Sequence, residues 1–146
     1  MRPVLWFRAA AVVMVLFAAA HTFGFLTFRP PTAESQAVWD AMQRVQFSVG
    51  TGSYSYRNFY VGLGLFDTVA MLFGASLLWI MGAMAERPDA LLRPIAFAVF
   101  LWQLASAVLS LMYFSVAPAI FSALVALCLA LGTRIAPRLR SSAAPS

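Results

Sequence analysis

Four long uncharged runs, separated by short polar breaks, dominate the pattern of hydrophobic and polar positions. Ala9 to Phe28 carries no charged side chain and is bounded by Arg8 and by Arg29-Pro30-Pro31. Twenty residues of helix rise roughly 30 Å, the thickness of a bilayer's hydrocarbon core, so residues 9–28 are expected to span a membrane. A second run, 58–82, holds one charge, Asp67, and ends before the turn Glu86-Arg87-Pro88-Asp89. A third starts near Pro94, a residue suited to a first helical turn, and reaches about Ser115, and a fourth runs from about Pro118 to Thr133-Arg134. The fourth is short for a span, but its brief connection to the third makes the two a helical hairpin.

Residues 29–57 form the one sizeable polar segment. Within it Ala37, Val38, Ala41, Met42 and Val45 recur at helical spacing opposite Gln36, Asp40, Gln43 and Arg44, predicting an amphipathic surface helix over 33–47. Thr32 is placed to cap its start, Glu34 suits the first-turn dipole, and Trp39 falls at the edge of the apolar face. Gly50-Thr51-Gly52-Ser53 then reads as a flexible turn. Tyr54, Tyr56, Phe59 and Tyr60 follow as aromatics of the headgroup level, with a lid over a ligand as the competing reading for Tyr56 and Tyr60. The expected fold is all-α: a four-transmembrane-helix bundle with a surface helix in its first outward loop, forming one membrane domain over 1–140 and a disordered tail over 141–146.

Composition places the chain in the membrane class. The hydrophobic residues make up 62% and the charged ones 10%, with a mean hydropathy of +0.84, values that exclude both an ordinary soluble globule and a disordered polyelectrolyte. The net charge of +5 comes from ten Arg, no Lys and five acids. The arginines are dispersed rather than gathered on one strip, so nucleic acid is not an expected partner. Their distribution reads as topology: Arg2, Arg8, Arg87, Arg93, Arg134, Arg138 and Arg140 fall on one side, Arg29, Arg44 and Arg57 on the other, which places both termini in the cytoplasm. An all-arginine set fits a GC-rich bacterial coding sequence, hence a bacterial cytoplasmic membrane. Arg2, Arg8, the run from Ala9 to Phe17 and Ala18-Ala19-Ala20 also resemble a cleavable signal peptide, but the apolar run continues to Phe28, the length of a span.

The chemistry inside the spans is sparse. His21 and Asp67 are the two ionisable groups placed deep in them, and such groups are expensive enough to count as catalytic candidates. His21 lies roughly 10 Å from the outer end of its span and Asp67 roughly 13 Å from the outer end of its own, so a contact is geometrically open in which the carboxylate orients the imidazole. Gln103, Ser106, Ser110 and Tyr113 share one face of the third span and are candidates to line a polar, outward-opening pocket. The competing reading makes all of these groups interhelical hydrogen-bonding partners that fix packing. Gly62, Gly64 and Gly74 serve close helix approach, and no third glycine or preceding strand makes Gly62-Leu63-Gly64 a dinucleotide fingerprint. Cys128 is the only cysteine, which excludes an intrachain disulfide and a cysteine zinc site. One histidine excludes bis-histidine haem within the chain, His21 paired with a methionine being the remaining haem option, and the apolar inner halves of three spans disfavour a transport pathway. No cofactor and no metal are expected.

The strings Ala20-His21-Thr22-Phe23-Gly24-Phe25, Val38-Trp39-Asp40-Ala41-Met42 and Ser55-Tyr56-Arg57-Asn58-Phe59-Tyr60-Val61-Gly62-Leu63-Gly64-Leu65 resemble a group of small bacterial proteins with four membrane helices, an HTFG pattern followed by FYxGxGL. The resemblance covers about half the chain and implies architecture but no activity. A looser likeness to DoxX-like four-helix membrane proteins rests on architecture alone. The expected function is that of a noncatalytic membrane protein packing with lipid, a second copy or a membrane-protein partner; the alternative is a small membrane enzyme or lipophilic-ligand binder built around His21 and Asp67.

Overall fold

The computed structural model describes residues 2–87 and 89–136. In chain order it comprises α1 (Pro3–Thr27), α2 (Ala33–Arg44), β1 (Gln46–Val49), β2 (Gly52–Ser55), α3 (Tyr56–Met84), α4 (Leu92–Tyr113) and α5 (Val116–Ile135). The tail expected over 141–146, together with Arg138 and Arg140, lies outside the described residues. Helices α1, α3, α4 and α5 are long and apolar enough to cross a membrane. Their outward faces carry large hydrophobic side chains, Phe23, Phe66 and Phe73 each being about 70% exposed. Such surface is stable only in lipid, and the chain is a multi-pass membrane protein. α1 begins at Pro3, so Arg8 lies inside the helix, where its long stem can carry the guanidinium toward the interface.

The chain forms two compact units, Met1–Phe17 with Met71–Ser146, and Ala18–Ala70. In the first, α4 and α5 make the expected hairpin, turning at Phe114 and Ser115. Arg93 Nη2 donates to the carbonyls of Thr133 (3.2 Å) and Ala136 (3.5 Å), tying the start of α4 to the end of α5 and satisfying carbonyls that a helix terminus leaves open. The core is mostly apolar: Phe7, Met14, Leu78, Met81, Leu92, Val125 and Leu129 are buried, together with the polar Gln103, Ser110 and Ser122. Phe17 stacks on Phe121 with ring centroids 4.9 Å apart. Gly132 allows Phe7 to approach; a Cβ there would lie 2.9 Å from the Phe7 ring.

In the second unit Thr32 caps α2 as its side chain predicts. Its Oγ1 accepts from Ser35 N–H (3.1 Å) while Ser35 Oγ accepts from Thr32 N–H (3.0 Å), a reciprocal capping box. The helix ends at Arg44, three residues before the expected 47, because Val45 turns extended. Residues 46–55 form an antiparallel hairpin, with Gln46 opposite Ser55 and Phe47 opposite Tyr54. Its turn holds Gly50 at φ +58°, a conformation that favours glycine. Four-residue strands are too short to print a period-two pattern, which is why a flexible turn was expected here.

Candidate functional site

The Ala18–Ala70 unit brings His21 and Asp67 together. On α1, Ala18, His21, Thr22 and Phe25 recur at spacings of three and four and share one face; on α3, Tyr60, Gly64, Asp67 and Thr68 do the same. His21 Nε2 lies 3.1 Å from the Gly64 carbonyl oxygen. A carbonyl only accepts, so Nε2 carries the proton and donates. Asp67 Oδ2 is 3.9 Å from the same nitrogen, within ion-pair reach but too far for a hydrogen bond. The Asp67 side chain is 56% exposed and that of His21 26%.

Two threonines complete the contact. Thr22 Oγ1 donates to its own helix at Ala18 O (2.8 Å) and lies 2.9 Å from Thr68 Oγ1, which is also 3.2 Å from Gly64 O. Each hydroxyl holds one proton, so the set is consistent when Thr22 donates to Ala18 O, Thr68 to Thr22 Oγ1, and His21 to Gly64 O. Every one of these protons then has an acceptor, and two bonds cross from one helix to the other. Gly64 makes the approach feasible: a Cβ there would lie 2.5 Å from the Phe25 ring.

An aromatic column rises from the imidazole. His21 stacks on Phe25 (5.8 Å), Phe25 meets Tyr60 (5.2 Å), Tyr60 meets Trp39 of α2 edge-on (5.9 Å), and Trp39 meets Phe28 (5.9 Å). Arg57 lies over the Trp39 ring at 4.9 Å and donates to Gln43 Oε1 at 3.3 Å, fixing α2 to the start of α3. Tyr60 thus joins the column, whereas Tyr56 packs on Phe47 of the hairpin (4.9 Å).

The α4 candidates lie in the other unit. Gln103 and Ser110 are buried, Ser106 is half-buried, and Tyr113 is 70% exposed at the helix end. Ser110 Oγ donates to Ser106 O at 2.7 Å, a bond within one helix. Among the described residues no three His, Cys, Asp or Glu side chains gather to hold a metal. Thr22, Thr68, Phe25 and the Gly64 carbonyl were not singled out as site groups from sequence, and Trp39 only as lying at the edge of the surface helix's apolar face. The threonines were findable, each adjoining one of the two ionisable residues, but the carbonyl's role depends on helix rotation.

Compared with protein-family models, curated proteins and solved structures, the chain matches none. The site is therefore read from its own geometry. That geometry joins the string Ala20–Phe25, through His21 and Phe25, to the FYxGxGL string, through Gly64 and Tyr60.

Proposed function

We infer that this chain is a noncatalytic interaction protein of a bacterial cytoplasmic membrane, with both termini cytoplasmic, whose intramembrane polar groups serve helix association. The observation that carries this reading is the use of His21 Nε2–H: it is committed to the Gly64 carbonyl beside the Thr22–Thr68 pair. A ring nitrogen held by a backbone carbonyl is an anchor, and the Phe25 ring lies parallel to the imidazole with centroids 5.8 Å apart. On this reading the two strings supply the two halves of one interhelical clamp. The interaction partner is a second copy or another membrane protein. Asp67, whose side chain is 56% exposed on an apolar helix, offers a polar group at the surface such a partner would meet.

The test is to purify His21→Ala and His21→Asn in mild detergent and compare unfolding midpoints and oligomer mass with the parent. The clamp reading expects His21→Ala to unfold more readily, with partial recovery in His21→Asn, whose amide can still donate. Unchanged stability together with loss of a co-purifying small molecule would replace it with the ligand-site reading around His21 and Asp67.

A further inference from the structure

The unit built from Met1–Phe17 and Met71–Ser146 holds a feature independent of the clamp. An open groove of about 550 Å³ runs between α1 and α3, lined by Val12, Val15, Leu16, Leu72, Ser76 and Trp79 among others. Its lining offers no free polar group from Ser76, whose Oγ donates to Leu72 O of its own helix at 2.9 Å. At one end the Arg8 guanidinium lies 4.9 Å over the Trp79 ring. Among the described residues no carboxylate lies within ion-pair distance of Arg8, the one such contact being that of His21 with Asp67. Among the described residues, then, no carboxylate balances the charge at the groove's mouth.

Depth identifies the occupant. From Arg8 to Leu16 α1 rises about 12 Å, close to the half-thickness of a hydrocarbon core, about 15 Å. The groove thus runs from the level of a headgroup to near the bilayer midplane, the reach of one leaflet's acyl chain. A guanidinium offers a planar fork that matches phosphate oxygens, and stacking on Trp79 holds it in place. We propose that this groove is a binding site for an anionic phospholipid, with an acyl chain along Val12, Val15, Leu16 and Leu72 and its phosphate on Arg8.

The experiment is native mass spectrometry of the full chain in mild detergent, titrated with phosphatidylglycerol and phosphatidylcholine of identical acyl chains. Phosphatidylglycerol adducts should exceed phosphatidylcholine adducts about fivefold, the effect of one basic residue near an anionic headgroup. Arg8→Gln should bring the ratio to near unity, Arg8→Lys should keep most of it, and Ser76→Leu, which fills the groove from an exposed position, should reduce adducts of both lipids. Unfolding midpoints matching the parent establish that each variant is folded. Equal binding of the two lipids by the parent, or a preference that survives Arg8→Gln, overturns the proposal. So does a parental dimer that Ser76→Leu disperses, which would assign the groove to a second copy.

Discussion

The two units hold their helices by different means. In Met1–Phe17 with Met71–Ser146, side chains such as Phe7, Leu78 and Leu129 are fully buried, and glycines let aromatic rings come close. In Ala18–Ala70 the buried residues among those described are the small Ala18 and Ser55, and the helices meet through the His21–Gly64 and Thr22–Thr68 bonds and a column of aromatic rings. Lipid tails are as apolar as leucine, so burying an apolar side chain among helices gains little hydrophobic energy. Association then depends on close packing or on hydrogen bonds. One unit takes the first route, the other the second, and the clamp carries interhelical contact where packing is thin.

The largest effect should come from hollowing the packed unit. Phe7→Ala is expected to lower stability by roughly 2–4 kcal/mol, mainly through the cavity into which the surroundings collapse only partly, since the transfer contribution is small in lipid. Thermal or denaturant unfolding in detergent measures it, and a loss as small as that of a single hydrogen bond would erase the contrast. Gly64→Ala should follow, at about 1–3 kcal/mol, since the new Cβ forces the Phe25 ring away and with it the approach to His21. A value near zero would mean that the ring swings aside freely.

Smaller still is the threonine pair. A double-mutant cycle with Thr22→Val and Thr68→Val, which keep side-chain volume, should give a coupling of about 0.6 kcal/mol and at most about 1.7, the range of interhelical hydrogen bonds in membrane proteins. Asp67→Asn should change the stability of the single chain least, within about 0.5 kcal/mol, as expected of an exposed side chain that lies beyond hydrogen-bond distance of His21. A loss comparable to that of His21→Ala would instead make the carboxylate part of the clamp.

Much of this was legible in the sequence. Long uncharged runs require helices because backbone groups in lipid must be satisfied internally. The Thr32 cap and the α4–α5 hairpin followed from residue type and spacing, as did the approach of Asp67 to His21, which depth arithmetic placed in one layer. The hairpin at 46–55 was not legible, its strands being shorter than one clear alternation. Nor was the division of the polar groups: Gln103 is buried while Tyr113, expected on the same stripe, is exposed at the end of α4.

The sequence by itself determined the number of candidate spans and their approximate limits, since hydrophobicity and helical length are properties of a single segment. Tertiary structure decided which acceptor each polar proton takes. The imidazole donates to the Gly64 carbonyl and the Thr68 hydroxyl adjoins Thr22 because two helices rotate so that Phe25 lies over a residue with no Cβ. Rotation about a helix axis leaves hydropathy and depth unchanged, so only the packing of one helix on another could fix it.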